Sequence, residues 1–394
     1  MRVPGCGRHL NWRRDLRQRR PSAGHSPDLD TSTEVTTRPM VASGLVRVLL
    51  TLAAVVPFWA TAEPAGAQKP ATRPRTVITA PTEPTDSARP DFARMLRQQA
   101  ETDRTWRAAG EGFMQVEKIT YRSSKGDLDI PAFVFLPLRL RGNHQHPALV
   151  WVHENIRGHL YEHYIPYIRE ATARGYIIIA PEYRGSIGYG KTFYDAIDYG
   201  GAEVDDVVTA ASVVIGKYPA VDPARMGIIG WSHGGLITLL AIFRYPTTFH
   251  AAAALVPVTN LFHRLARKGV DSQRRAIDPQ NRFGGTPSEK PQVYRDRSPL
   301  FHVDRLQIPL LVHVADNDED VDFDEAMQLV DALRARKPTL SDVKVYRNPP
   351  GGHTFDRRVS PIRWQPENTP EQRDSWTRVW NFFDAHLLGG YNNN

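Results

Sequence analysis

From about residue 148 onward, short unbroken apolar runs recur at 148–152, 176–180, 226–229, 251–255, 308–314 and 343–346, each bounded by turn residues. Runs of this kind suit strands buried on both faces, as in a parallel sheet. Longer segments lie between them, and the apolar segment 236–243 reads as a helix. Right-handed crossovers would then place helices on both faces of a mostly parallel central sheet, which makes the fold class α/β. Upstream, 116–121 alternates apolar and polar, 130–136 is apolar, and 123–127 is a turn signal between them. That pattern predicts an antiparallel hairpin opening the sheet. Residues 91–109 are charged and helical in pattern, and 68–90 are rich in Pro, Thr and Ala and read as a linker. Residues 260–300 are polar, basic and poor in strand signal, with Arg264, Arg267, Lys268, Arg274 and Arg275. They read as a cap over the sheet edge, whose cations could meet an acidic substrate group or simply face solvent.

The run at 226–229 leads into Gly230-Trp231-Ser232-His233-Gly234, and the helical segment follows. Strand, G-x-S-x-G, helix is the nucleophile elbow of the α/β-hydrolase fold. The glycines let the turn close without side-chain collision, and the serine hydroxyl is raised above the sheet. In this fold an acid and then a histidine follow the nucleophile along the chain. The run 308–314 ends in a loop carrying Asp316, Asp318 and Asp320, and the run 343–346 ends in a glycine-rich turn presenting His353. A serine hydroxyl is a poor nucleophile at neutral pH, so His353 would take its proton and return it to the leaving group. An aspartate would fix the imidazole tautomer. Chain geometry alone does not choose among the three aspartates. The strand ends collect Asn155, Ser232, the acid and His353 at the edge where open α/β sheets bind ligands. The loop after 148–152 and the residue after the nucleophile supply the oxyanion donors in this fold, which points to the N–H groups of Asn155 and His233.

Several segments together resemble the catalytic domain of the prolyl oligopeptidase family of serine peptidases over roughly residues 115–388. They are 175–186, 188–191, 204–207, 221–227 and the elbow, in that family's order and spacing. The resemblance implies a peptidase with an acyl-enzyme on Ser232 and no cofactor. It implies Asp318 as the acid, because the family places it three residues before a valine, here Val321. Val314 stands where the family has a glycine, which keeps Asp316 as a competitor. His153-Glu154-Asn155 is instead similar to the oxyanion loop of the dienelactone hydrolase family, which brings an esterase into consideration. Glu154 is then either a site residue that orients Ser232 or a substrate amine, or a buried carboxylate paired with Arg157 or Arg184. Tyr183 and Arg184 are expected to brace the same cleft. Large members of the family carry a propeller that filters substrates by size, and no repeat of that kind precedes the hydrolase pattern here.

His159-Leu160-Tyr161-Glu162-His163 matches H-x-x-E-H, which on a helix would set two histidines on one face for zinc. No clear third ligand follows, and the segment is accounted for as a crossover, so no metal is expected. The formal net charge is +7, most of it contributed by the Arg-rich first forty-odd residues. The body is nearly balanced, so no nucleic-acid partner is implied. Residues 1–39 have no periodicity and read as an unstructured upstream extension. Residues 40–67 have a charged start, a short apolar core and small-residue exits at 60–62 and 65–67, the pattern of a secretory signal peptide. A secreted or periplasmic protein follows, with membrane contact only if that segment stays uncleaved. Residues 68–110 then form the linker and N-terminal helix, and 111–390 the catalytic domain, which includes the cap. The one cysteine, Cys6, lies in the extension, so neither a disulfide nor a thiol nucleophile is expected in the body.

Overall fold

The apolar runs become an eight-stranded sheet in the computed structural model, which describes residues 90–266, 282–360 and 364–389. Its strands are β1 (Met114–Arg122), β2 (Asp129–Pro137), β3 (His146–Val152), β4 (Ile177–Pro181), β5 (Val221–Trp231), β6 (Ala251–Leu255), β7 (Leu310–Ala315) and β8 (Ser341–Tyr346). The order across the sheet is β1-β2-β4-β3-β5-β6-β7-β8. β1 and β2 form the expected hairpin, β2 meets β4 antiparallel, and every later pairing is parallel. β5 starts ahead of the apolar run because Val221 already pairs with His146, before an irregularity in the register.

The helices are α1 (Phe92–Gly110), α2 (Ile165–Ala173), α3 (Gly190–Asp195), α4 (Ala202–Lys217), α5 (His233–Arg244), α6 (Pro291–Asp296), α7 (Phe323–Arg336) and α8 (Pro370–Phe383). Side chains alternate across the sheet, so each strand feeds two cores. Ala148, Val150 and Val152 of β3 join one core, with Val204 and Val207 of α4, Leu236 and Leu240 of α5 and Leu329 and Leu333 of α7. Leu149 and Trp151 join the other, with Trp106 of α1, Ile168 of α2 and Trp376 and Trp380 of α8. Helices therefore cover both faces, and the chemistry is left to the loops at the C-terminal ends of the strands. Asp91 caps α1 by accepting from the Arg94 N–H at 2.8 Å, and Trp106 Nε1 donates to the Leu160 carbonyl at 3.1 Å. The charged N-terminal helix is thus fastened to the loop that precedes α2.

The proposed extension, signal segment and most of the linker lie outside the described residues, as do Arg267, Lys268, Arg274 and Arg275 of the expected cap. Within 260–300 the described part consists of helical residues 261–266, α6 and the turns around it. Among the described residues no helix is long and apolar enough to cross a membrane.

Candidate active site

Ser232 sits between β5 and α5 with φ 52° and ψ −116°, a left-handed backbone that a residue with a Cβ adopts only under strain. The turn is enforced from both sides. A Cβ on Gly230 would meet the Gly234 carbonyl oxygen at 2.3 Å, and a Cβ on Gly234 would meet the carbonyl oxygens of Val152 and His153 at 2.4 Å. Only bare backbone lets α5 approach the end of β3 so closely. A serine at a helix start usually caps the helix with its hydroxyl. Ser232 makes no such side-chain cap, and its N–H is held instead by the Leu255 carbonyl at 3.1 Å.

Two of the three aspartates separate cleanly. Asp318 Oδ2 lies 2.7 Å from His353 Nδ1, while its Oδ1 accepts the N–H groups of Asp320 and Val321, each at 2.8 Å. Those two backbone bonds aim the carboxylate, and they show what a valine three residues downstream contributes: an N–H at the right place. Asp316 is turned away, accepting the Asn348 N–H at 2.5 Å with Arg347 Nη1 at 3.4 Å.

The loop after β3 carries Asn155 at φ 68°, the left-handed region that Asn tolerates better than most residues. The Tyr183 hydroxyl holds it from behind, 2.8 Å from the Asn155 carbonyl and 3.2 Å from that of His153. Asn155 Nδ2 donates to the Tyr161 hydroxyl at 2.9 Å. His233 opens α5, where first-turn N–H groups have no intrahelical acceptor. Its ring is tucked inward, with Nε2 2.7 Å from Glu203 Oε1. Ser232, His233 and Asn155 line one cleft of about 410 Å³, together with Arg157, Tyr161, Tyr199 and Arg264. The elbow and both residues expected to supply oxyanion donors therefore line the same space.

Residues 163–388 match the family model of the prolyl oligopeptidase family, over half of the chain. The chain belongs to the prolyl oligopeptidase family. It is 29% identical over 278 residues to the uncharacterized peptidase YuxL of Bacillus subtilis, covering 69% of this chain and 39% of that protein. It is 28% identical to dipeptidyl aminopeptidase BIII of Pseudoxanthomonas mexicana, covering 55% of this chain and 30% of the relative. The solved acylaminoacyl peptidase of Pyrococcus horikoshii superposes with a TM-score of 0.57 at 20% identity, over 73% of this chain and 44% of that one. The chain thus spans well under half the length of these relatives.

In this prolyl oligopeptidase family member the surroundings of Glu154 differ from the sequence expectation. Its carboxylate pairs with Arg357, and its Oε1 lies 3.3 Å from His163 Nε2. Burial pushes the carboxyl up, but Arg357 and His163 outweigh it and hold the group well below the usual carboxylate range. Arg357 in turn donates to Asp356 Oδ1 at 3.0 Å and to the His353 carbonyl at 2.7 Å. Asp356 Oδ2 accepts Trp231 Nε1 at 2.6 Å, and the Asp356 carbonyl accepts Trp376 Nε1 at 2.5 Å. Glu154, Arg357, Asp356 and Trp231 thus form one buried chain joining the oxyanion loop, the histidine loop and the elbow. Sequence reasoning missed Asp356 and Arg357. The available signal was the charged run Asp356-Arg357-Arg358 directly after apolar Phe355, since adjacent charges beside a core residue need partners.

One further expectation is corrected. Arg184 does not line the cleft with Ser232. It binds Asp206 through Nε and Nη2 at 2.8 and 2.7 Å and donates to the Lys125 carbonyl at 2.7 Å, fastening the β1–β2 turn to α4. The H-x-x-E-H segment is not helical in the way zinc would need. Glu162–Tyr164 is a single 3-10 turn and α2 starts only at Ile165, so His159 and His163 do not share an α-helical face. His163 serves Glu154, and His159 Nε2 lies 3.4 Å from the Gln98 side chain.

Proposed function

We propose that the protein is a serine peptidase that works through an acyl-enzyme on Ser232. His353 takes the hydroxyl proton during attack on the acyl carbonyl and passes it to the departing amine, after which water, activated by the same imidazole, releases the acid. Asp318 holds the imidazole with its Nδ1–H toward the carboxylate, leaving Nε2 as the base. The N–H groups of His233 and Asn155 receive the developing oxyanion. The observation that carries this reading is the 2.7 Å contact between His353 Nδ1 and Asp318 Oδ2, on a loop bound to the elbow through Asp356 and Trp231. Membership of a peptidase family supports amide over ester substrates. The H-E-N loop was one reason to consider an esterase, and the pairing of Glu154 with Arg357 supports a bracing role for that glutamate.

A fluorophosphonate probe should label the wild type and leave Ser232→Ala unlabelled. Labelling that persists in the variant would refute the nucleophile. Aminoacyl anilides should be hydrolysed at rates comparable with short p-nitrophenyl esters. Fast ester turnover without anilide turnover would make it an esterase.

We further propose that residues 40–67 direct export, on the strength of their charged start, apolar core and small-residue exit. Amino-terminal sequencing of protein recovered outside the cytoplasm should read a start just after residue 62 or 67. Recovery only in the cytoplasm with residues 40–67 intact would overturn it.

A further inference from the structure

The cleft that holds Ser232 is cationic. Arg264, just beyond β6, and Arg157, from the oxyanion loop, both line it, and among its described lining residues there is no carboxylate. Tyr161 and Tyr199, half-buried and buried phenols each pushed up by burial to about 12, also line it, with apolar Val258 and Ile156. Nothing in the amide chemistry itself calls for two guanidiniums beside the nucleophile.

Arg264 is held in place by its neighbours. Its Nη1 donates to the Asp320 carbonyl at 2.9 Å, a neutral acceptor that fixes the side chain. Glu325 Oε2 forms an ion pair with the same nitrogen at 3.8 Å, too long for a hydrogen bond. Glu325 spends its other oxygen on the N–H groups of Thr259 and Asn260 at 2.9 and 3.2 Å, and burial pushes its carboxyl up. A guanidinium presents five donors in a planar fork that matches a carboxylate, and the Asp320 carbonyl and the Tyr199 hydroxyl occupy only part of it. Arg157 is positioned separately, its guanidinium 3.6 Å from the centre of the Tyr194 ring, which fixes where the second positive charge lies. The cleft has room for one side chain and the adjoining backbone next to the scissile carbonyl.

We propose that this cleft selects an acyl group bearing a carboxylate, so that the residue on the acyl side of the scissile bond is Asp or Glu, with Arg264 as the main specificity residue. The proposal rests on the serine peptidase reading for the position of the scissile bond, but the charge of the cleft can be tested without turnover.

Paired anilides of Glu and Gln, and of Asp and Asn, differ in charge and hardly in shape. The wild type should favour each acid over its amide by about ten-fold or more in kcat/KM, the scale of a charge-assisted hydrogen bond. Arg264→Gln should abolish that ratio, and Arg264→Lys should retain part of it because the charge stays while the fork is lost. A wild type that cleaves the amides as well as the acids overturns the proposal. So does an Arg264→Gln variant that lowers both equally, since the guanidinium would then be holding a peptide carbonyl. Binding of acetylated Glu and Gln peptides to Ser232→Ala, by calorimetry, gives the same comparison with no catalysis involved. Tighter binding of the Glu peptide that vanishes in the Ser232→Ala, Arg264→Gln double variant supports the proposal even if no anilide is cleaved. Equal binding sinks it even if the fluorophosphonate probe confirms Ser232. Thermal unfolding of each variant separates a lost subsite from a lost fold.

Discussion

The indole of Trp231 donates to Asp356 Oδ2 across 2.6 Å, and both side chains are buried. Trp231 immediately precedes the proposed nucleophile, and Asp356 lies just beyond the proposed base. The two loops that must meet for proton transfer are therefore linked beneath the site. Asp356→Asn should slow both fluorophosphonate labelling and kcat by more than ten-fold with KM little changed, because a displaced histidine affects chemistry before it affects binding. It should also cost about 1–3 kcal/mol of stability through the disturbed buried network. Trp231→Phe, which removes the donor but keeps the ring, should reproduce the kinetic effect in milder form. Unchanged labelling rates in both variants would show that the link is merely structural.

Asp318 and Asp316 are near in sequence and distinct in surroundings. Asp318→Asn should lower kcat by about 10³–10⁴, since an amide cannot hold the imidazole in the working tautomer. Asp316→Asn touches only the Asn348 N–H and Arg347, so its loss should stay within a few-fold. Comparable losses in the two would leave the acid unassigned. Steady-state kinetics on a single anilide are enough to tell.

Glu154 and Arg357 are a buried ion pair, with side chains 9% and 2% exposed. Removing one partner of such a pair leaves a charge without compensation and typically costs about 3–5 kcal/mol. Glu154→Ala should show a loss of that order in denaturant unfolding, with Glu154→Gln intermediate. If Glu154 instead held a substrate amine, the dominant change would be a rise in KM for substrates with a free N-terminus and not for blocked ones.

His313 on β7 is fully buried, with Nδ1 2.9 Å from Ser375 Oγ, and burial pushes it from 6.5 down to about 3. The unfolded chain protonates this group near 6.5 while the folded protein resists until about 3. Its contribution is thus complete above pH 6.5 and is lost as the pH falls toward 3, at about 1.4 kcal/mol per pH unit. His153 behaves in the same direction, held down to about 3 by burial. Denaturant midpoints measured across this range should fall with acid, and His313→Gln should flatten the slope. An unchanged slope would mean that other groups govern acid unfolding.

The strands and the elbow were legible in the sequence because local pattern determines them. An unbroken apolar run must be covered on both sides, and two glycines around a serine after such a run admit few conformations. The order serine, aspartate, histidine was legible for the same reason, each standing at the end of a recognisable strand. The family resemblance, not the run itself, singled out Asp318, and the structure supplies the mechanism in the Asp320 and Val321 N–H groups. The Glu154–Arg357 pair was not legible. Its members are far apart in the chain, and a charge carries no mark of which distant charge it will meet. Arg184 was misplaced for the same reason, since its partner Asp206 lies on a helix whose facing depends on how the whole sheet coils. The spacing of the H-x-x-E-H segment has meaning for zinc only on an α-helix, and here α2 starts after it.

The backbone at residue 232 also decides which nucleophiles could ever occupy it. At φ 52° a branched Cβ would crowd its own peptide, so threonine is shut out although its hydroxyl has nearly the same reactivity. Cysteine, unbranched and similar in size, would fit. The route by which this scaffold could change its chemistry therefore runs through sulfur, and the tightness of one bend closes the alternative.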